Sequence, residues 1–401
     1  MNYNELFSQV VHRSKASAIR ELLKVIARPD IISFAGGLPD PELFPTKDVA
    51  DIMQDVLEKS PKAALQYGTT EGFLALRQEL VKLLQETEGI TATPDQLVMV
   101  SASQQALDMT ARLFVNPNDP IITACPTYLG ALQAFHVAGA HIIGAASDDY
   151  GILAEDLEAK LAQLKAAGKT CKFIYLVPDF QNPTGTTIPE ERRIKILEIA
   201  KKYNTFILED SPYRQVRFEG DSPRTFYALD NGQGNVITMF TFSKVFVPGF
   251  RLGFIVGPEE VIRKYVILKQ AMDLCTSPIL QLATYEYLRR GLLMEHIKKI
   301  IASYREKRDL MLKTLAEYMP KEVSWTRPEG GLFLWLTLPK HINATDLLPK
   351  AIENKVAYVA GVDFYPDANV FNDMRLNFSY STKEQIVEGL KRLAQTIKDC
   401  L

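Results

Sequence analysis

The sequence has almost no excess of charge of either sign. Its 46 Lys and Arg residues balance 48 Asp and Glu residues, which leaves a formal net charge of −2 over 401 residues. Proteins that bind nucleic acid or anionic membranes generally carry a strong basic patch. We therefore expect small-molecule substrates, and neither nucleic acid nor a membrane, as the main partners.

Cysteine and histidine are scarce and widely spaced. No two of Cys125, Cys171, Cys275 and Cys400 lie within ten residues of each other, and the five histidines form no His-x-x-x-His pair. The usual signatures of a metal site are therefore missing, and four thiols in so long a chain are typical of a reducing compartment. The first fifteen residues also lack the apolar core of a signal peptide. We expect no metal and a cytoplasmic location.

Two further signatures are missing. No Gly-x-Gly-x-x-Gly motif follows an apolar run, so the fingerprint of a dinucleotide-binding fold is absent. The most apolar long stretch, residues 131–146, contains polar residues and is shorter than the roughly 20 residues that a membrane-spanning helix needs.

Short apolar runs alternate with helical patterns through most of the chain. Continuous apolar strands between helices are typical of a mostly parallel sheet that is covered on both faces. Strands are predicted at residues 96–100, 120–124, 173–177, 206–208, 236–240 and 252–256. Helices are predicted at residues 17–25, 47–59 and 72–86.

The C-terminal part has a different order of elements. After a long helical stretch near residues 290–319, GGLFLWLTL and MRLNFSY look like strands, and residues 383–397 look like a closing helix. We therefore predict an α/β fold in two domains. Residues 46–290 would form the large domain, and the small α+β domain would combine residues 1–45, which include an N-terminal arm, with residues 291–401, which begin with an interdomain helix.

Polar side chains follow the ends of the predicted strands, where ligands bind in open α/β sheets. Lys244 comes just after the run 236–240, preceded by Thr241 and Ser243 and followed seven residues later by Arg251. A single lysine is usually exposed, but burial would push its amine toward the neutral form that Schiff-base chemistry requires. Arg251 and the two hydroxyl groups are close enough along the chain to share a phosphate.

Five other candidates each have a structural and a functional interpretation. Asp210 is a turn former or helix cap, or a carboxylate that keeps a pyridine nitrogen protonated. Tyr213 and Tyr128 are core aromatics or ring contacts. Asn182, in the turn NPTG, offers a donor and an acceptor to a ligand. Residues 101–105 open a helix whose free N–H groups suit a phosphate, although Ser103 is equally suited to be a plain N-cap.

Taken together, these residues resemble class I, fold-type I aminotransferases, which use pyridoxal 5′-phosphate. SFAGGLPD, LQYGTTEG, SASQQAL, PDFQNPTG, LEDSPY, TFSK with PGFRLG, and MRLNFS occur in the order of that family. AIRELLK, FAGGLPDPELFP and LQYGTTEG are most similar to the subgroup of 2-aminoadipate, kynurenine and aromatic aminotransferases. The resemblance covers the chain from about residue 15 to the end and implies that family's fold.

The resemblance also implies a role for each candidate near the cofactor. Lys244 would carry the cofactor and transfer protons, and Asp210 would pair with the ring nitrogen. Asn182 and Tyr213 would contact the ring oxygen, and Tyr128 would stack on the ring. The phosphate would be bound by Ser103, Gln104, Thr241, Ser243 and Arg251, and by Tyr67 from the other subunit of a homodimer.

The implied substrate contacts lie elsewhere in the chain. Arg375 would bind the α-carboxylate bidentately, helped by Asn182 and the backbone of Gly37; without the family it would be interpreted as a surface arginine on an edge strand. Arg20 either recognises an acidic side chain or is an exposed helix residue. The phosphate loop departs from the family in having Ala102 where glycine is usual, and Thr241 stands where serine is common.

We therefore expect an aminotransferase of amino-acid metabolism. It would move the amino group of 2-aminoadipate, glutamate, or an aromatic or branched-chain amino acid to a 2-oxo acid such as 2-oxoglutarate. A β-lyase or another pyridoxal phosphate enzyme is the alternative, because this fold does not fix the reaction. A transcriptional regulator that keeps the fold as a sensor would need a DNA-binding domain before residue 15.

Overall fold

A computed structural model describes residues 1–14, 28 and 30–401. Its largest sheet has eight strands in the order β2-β9-β8-β7-β6-β3-β4-β5. The five strands from β8 to β4 run parallel, whereas β9 is antiparallel to both of its neighbours and β5 is antiparallel to β4. The strands are β2 (Leu97–Val100), β3 (Pro120–Cys125), β4 (His141–Asp148), β5 (Gly151–Ile152), β6 (Phe173–Leu176), β7 (Phe206–Asp210), β8 (Val236–Thr241) and β9 (Gly253–Val256).

The central strands form where the apolar runs predict them because both faces of the sheet are covered. Every residue of β2, β6 and β9 is buried, and helices pack on the sheet, as expected for a parallel α/β architecture. The α/β fold class is therefore confirmed. β4 lies near the edge of the sheet and is mostly exposed or half-buried. It was not predicted as a strand, because its apolar residues follow those of the preceding helix within the single apolar stretch 131–146.

Fourteen α-helices are present in the described residues. Three are short, with five residues each. The bounds are Gln9–Arg13, Thr46–Lys59, Pro61–Leu65, Leu74–Glu88, Ala102–Phe114, Leu129–Ala138, Ala154–Ala166, Glu190–Lys202, Phe226–Asp230, Glu259–Met272, Pro278–Arg289, Leu292–Tyr318, Ala344–Glu353 and Lys383–Lys398. No helix in these ranges is both long and apolar enough to cross a membrane.

The bounds of one predicted helix differ from the structure. The helix expected at residues 72–86 spans Leu74–Glu88, because Gly72 has φ +103° and therefore cannot belong to a right-handed helix. The apolar stretch 131–146 is divided between the helix Leu129–Ala138 and strand β4. The helix expected at residues 17–25 lies outside the described residues.

Two small sheets contain the remaining strands. One of them joins a strand from the N-terminal part of the chain to a strand from the C-terminal part. β1 (Ile32–Ser33) pairs in parallel with β12 (Val356–Ala357). The antiparallel sheet has the order β10-β11-β14-β13 and contains the strands β10 (Ser324–Trp325), β11 (Phe333–Thr337), β13 (Val359–Ala360) and β14 (Asp373–Asn377). This arrangement brings the loop after β1 and the strand β14 to the carboxyl edge of the large sheet.

Candidate active site

A cavity of about 280 Å³ lies where the strand ends of the large sheet meet β14 and the loop after β1. Most of the residues predicted from the sequence line it, although they come from distant parts of the chain. The lining residues are Gly37, Ala102, Ser103, Gln104, Tyr128, Val177, Asn182, Asp210, Pro212, Tyr213, Thr241, Ser243, Lys244, Arg251, Phe333 and Arg375.

Tyr67 is a predicted site residue that the single chain does not bring together with the others. It is 79% exposed and does not line this cavity. The prediction for Arg20 concerns a residue outside the described part of the chain.

Lys244 lies just beyond β8 and points its amine across the cavity. Its Nζ donates a hydrogen bond to the carbonyl oxygen of Gly37 at 2.7 Å. Burial, together with the nearby positive charges of Arg375 and Arg251, lowers the pKa of Lys244 to about 8. Lys244 is therefore not an ordinary exposed lysine, and a substantial fraction of its amine is neutral in mildly basic solution.

The adjacent carboxylates Glu209 and Asp210 have contrasting environments. Glu209 accepts hydrogen bonds from Phe226 N, Tyr227 N and Thr238 Oγ1, so it is fully engaged by the protein. Asp210 is only 2% exposed, and its Oδ1 makes no hydrogen bond among the described residues. Burial raises the pKa of Asp210 to about 7, although the nearby hydroxyl groups of Tyr175 and Ser103 oppose this rise. Asp210 lines the cavity rather than capping a turn or helix, and a cationic ligand group beside it would favour its carboxylate form.

The start of the helix Ala102–Phe114 forms one wall of the cavity. The N-cap is Ser101, which makes no side-chain capping bond, so the alternative in which Ser103 is the N-cap is wrong. Ala102 has φ +63°, in the region that favours glycine. Opposite, a Cβ on Gly253 would lie 2.6 Å from Phe240 O and 3.1 Å from Ala102 Cα, so only glycine allows this close approach. The free amides at the helix start are suited to an anion.

Hydroxyl groups and a guanidinium face this helix start. Thr241 Oγ1 donates to Ser243 Oγ at 3.0 Å, and Arg251 Nη1 donates to the same Ser243 oxygen at 3.1 Å. Gln104 is held by a bond from its Nε2 to Gly130 O at 3.0 Å. Together with the helix amides, these groups form a cradle of donors and positive charge that fits a phosphate.

Arg375 is 1% exposed and lies in the middle of β14, which pairs with β11 on one side and β13 on the other. Its Nη1 donates to Asn182 Oδ1 at 2.8 Å and its Nη2 to Ala35 O at 2.7 Å, while its guanidinium lies 4.3 Å from the ring centre of Phe333. The interpretation as a surface arginine on an edge strand is therefore wrong. Burial lowers the pKa of Arg375 to about 10, so it stays charged at neutral pH.

The charge of Arg375 is not matched by an acid. No carboxylate among the described residues forms an ion pair with it, and its buried Nε has no hydrogen-bond partner there. A buried cation without a counterion is costly. This arrangement indicates a binding site for the anionic group of a ligand.

Asn182 and Tyr213 lie between Arg375 and Asp210. Asn182 Nδ2 donates to the Tyr213 hydroxyl at 3.4 Å, and the Tyr213 ring meets Phe333 edge to face at 5.7 Å. Burial raises the pKa of Tyr213 above its ordinary value, so it is a hydrogen-bond donor at neutral pH. Tyr128 approaches from the facing helix start, with its hydroxyl 3.5 Å from Gln104 Oε1.

Residues 29–393 match the family model described as aminotransferase class I and II. The chain belongs to this family. It is 46% identical over 399 residues to aromatic-amino-acid aminotransferase 1 of Thermococcus litoralis. This alignment covers 100% of this chain and 95% of the relative.

Two solved structures of aminotransferases also match over the whole chain. One is the kynurenine aminotransferase of Pyrococcus horikoshii in complex with PMP, which is 46% identical, with a TM-score of 0.96 and coverage of 100% of this chain and 98% of that one. The other is the α-aminoadipate aminotransferase of Thermus thermophilus, complexed with N-(5′-phosphopyridoxyl)-L-leucine. It is 35% identical, with a TM-score of 0.91, and the match covers 100% of this chain and 99% of that one. The subgroup suspected from the sequence is thereby confirmed.

Several residues of this aminotransferase's cavity were not singled out from the sequence. Val177, Pro212 and Phe333 line it, and Tyr175 supports it from behind by donating to Asp210 Oδ2 at 2.9 Å. Tyr175 had one usable signal, because it is a polar side chain within an apolar, fully buried strand. Phe333 had none, since it looks like any aromatic residue in a strand.

Proposed function

We propose that this aminotransferase binds the α-carboxylate of its amino-acid substrates through Arg375, beside the amine of Lys244. The observation that carries the proposal is the buried guanidinium of Arg375, which has no acidic partner among the described residues. Asn182 and Ala35 fix its orientation through the bonds at 2.8 and 2.7 Å. A planar fork held in this way is suited to a carboxylate.

The cofactor is pyridoxal phosphate, and the residues present fit it. The unpartnered Oδ1 of the buried Asp210 is suited to a protonated ring nitrogen. Asn182 and Tyr213 would hold the ring oxygen, and Tyr128 would stack on the ring. The cradle for the phosphate would consist of the helix start at Ser103 and Gln104 together with Thr241, Ser243 and Arg251.

The catalytic work of the chain would centre on Lys244. When bound, the cofactor supplies an electron sink for negative charge at the substrate Cα. The Lys244 amine, with its lowered pKa, would take the proton from Cα and return it on the cofactor side as general base and acid. Arg375 would keep the substrate oriented so that this proton remains within reach.

The substrates we propose are 2-aminoadipate, glutamate, and aromatic or branched-chain amino acids, with 2-oxoglutarate as the acceptor. The relatives named for aromatic amino acids, kynurenine and α-aminoadipate support this range. Arg20 would select acidic side chains. Release of ammonia in place of amino transfer would instead favour a lyase.

We also propose a homodimer in which Tyr67 completes the phosphate site of the neighbouring subunit. Two neighbouring side chains support this arrangement, because Tyr67 is 79% exposed and Leu65 is 71% exposed in the single chain. Groups of large exposed apolar side chains often mark an interface. The division into an arm and a large and a small domain, with boundaries near residues 45 and 290, remains part of the proposal. The four free thiols support a reducing, cytoplasmic compartment.

The role of Lys244 is tested by borohydride reduction of the holoenzyme followed by peptide mapping. The cofactor should become fixed to Lys244 and to no other lysine. Lys307 is a control within the chain, because it is buried but engaged with Asp40 at 2.7 Å. A colourless protein in excess cofactor, or an adduct on another lysine, contradicts the proposal.

The role of Tyr67 is tested by mixing two inactive variants. A dimer of one Tyr67→Ala subunit and one Lys244→Ala subunit carries both defects in one site if Tyr67 acts across the interface. The other site is then intact, so mixed dimers should recover about half of the activity per dimer. No recovery would show that Tyr67 acts within its own subunit, and a fully active Tyr67→Ala homodimer would show that Tyr67 has no role in the site.

A further inference from the structure

Tyr175 lies behind the candidate active site, in β6, and is not among the residues that line the cavity. It is fully buried, and its hydroxyl donates to Asp210 Oδ2 at 2.9 Å. The register of the sheet explains the contact. Tyr175 pairs with Leu208 of β7, and Asp210 lies two residues further along β7, so both side chains are on the same face.

The hydrogen bond from Tyr175 makes the two oxygens of Asp210 unequal. Oδ2 accepts a hydrogen bond from the Tyr175 hydroxyl, whereas Oδ1 makes no hydrogen bond among the described residues. Burial raises the pKa of Asp210, and the bond from Tyr175 opposes this because it stabilises the charged form. Burial also raises the pKa of Tyr175, so its hydroxyl keeps the proton and remains a donor.

The surroundings hold the Tyr175 ring in place. Phe135 packs against it edge to face, with the ring centres 5.3 Å apart. The other titratable groups near its hydroxyl are Tyr128 and Tyr213, which face the same cavity. The neighbouring carboxylate, Glu209, is already engaged by Thr238 and two backbone amides and does not compete for this donor.

We propose that Tyr175 is a positioning residue of this aminotransferase. Its hydroxyl fixes the orientation of Asp210 and preserves the carboxylate that pairs with the ring nitrogen of the cofactor. The inference rests on the proposed role of Asp210, and it assigns a function to a residue that contacts neither cofactor nor substrate.

The test uses the holoenzyme with Tyr175→Phe and the matched control Tyr265→Phe. Tyr265 is also fully buried, and its hydroxyl lies 2.7 Å from Thr110 Oγ1, outside the residues that line the cavity. Both changes delete one buried hydroxyl and keep the ring. Two quantities are measured: the Kd of pyridoxal phosphate for the reconstituted apoprotein, and the pKa of the pH-dependent change in its visible absorption.

In Tyr175→Phe, the Kd of pyridoxal phosphate should rise about tenfold, because the charged carboxylate of Asp210 loses one hydrogen bond. The absorption pKa should also rise, because without this bond the Asp210 carboxylate is more basic and draws the shared proton from the ring nitrogen, which leaves less positive charge on the ring. Tyr265→Phe should leave both quantities at their wild-type values. Wild-type values in Tyr175→Phe, or equal shifts in the two variants, would overturn the inference.

Asp210→Asn separates failure of this inference from failure of the proposed function. If Asp210→Asn changes neither quantity, the proposed role of Asp210 is wrong. If it changes both and Tyr175→Phe changes neither, only the inference fails. When Tyr175→Phe is added to Asp210→Asn, the absorption pKa should not shift further. An equal shift in both backgrounds would show that Tyr175 does not act through the carboxylate.

Discussion

Replacing Arg375 with alanine should remove the preference of the enzyme for substrates that carry an α-carboxylate. The guanidinium is 1% exposed and is held by Asn182 and Ala35, so the carboxylate it binds would also be desolvated. Removing one partner of a buried, hydrogen-bonded charge pair costs about 2–5 kcal/mol. The expected loss in kcat/KM is therefore about 30-fold to 5,000-fold.

The sharpest assay compares each amino acid with the amine that lacks its carboxylate, for example phenylalanine with phenethylamine. The wild type should prefer the amino acid by a factor in that range, and Arg375→Ala should process the two with similar kcat/KM. Arg375→Lys keeps a charge but loses the fork, so it should fall between them. If Arg375→Ala kept the wild-type preference, Arg375 would not be the carboxylate site.

Three further predictions concern stability and specificity. Ala102→Gly should stabilise the protein by about 1 kcal/mol in chemical denaturation, because φ at this position is +63°, a conformation that is strained for alanine. The control Ala106→Gly, in the same helix, should destabilise the protein by about 1 kcal/mol. Effects of the same sign would contradict this. Lys244→Met should stabilise the apoprotein by about 3 kcal/mol at pH 7, because folding lowers the Lys244 pKa from 10.5 to about 8. Between pH 8 and pH 10.5 the unfolded state binds more protons than the folded state, so the free energy of unfolding of the wild type rises with pH. The difference between the wild type and the variant should therefore shrink and vanish above pH 10.5. A difference that does not change with pH would refute the reasoning. Arg20→Ala should reduce kcat/KM for 2-aminoadipate and glutamate but spare leucine and phenylalanine, and equal losses would reject a side-chain role.

The central strands and the cavity were predictable because both follow from local patterns. β6, β7 and β8 are continuous apolar runs, and the polar residues after parallel strands converge at one edge of the sheet. Lys244 and Asp210 could thus be placed near each other from the sequence. No strand was predicted at β4, because its apolar residues follow those of the preceding helix within the stretch 131–146 and the boundary between the two elements is not marked.

Other features depend on contacts that the sequence pattern does not encode. Arg375 is held by the carbonyl of Ala35, 340 positions away in the chain, so only the folded structure reveals that it is buried and has no acidic partner among the described residues. Tyr175 resembles a core aromatic until the register of β6 and β7 places its hydroxyl at Asp210. The exposure of Tyr67 is likewise a property of the folded chain that no sequence pattern encodes.

The most direct test of the account is a single-turnover experiment on the holoenzyme without a 2-oxo acid. Adding an amino acid should abolish the visible absorption band of the enzyme and release one equivalent of the corresponding 2-oxo acid per active site. Adding 2-oxoglutarate should then restore the band and release glutamate. Release of ammonia, or a band that persists with every amino acid tested, would contradict amino transfer as the function of this site.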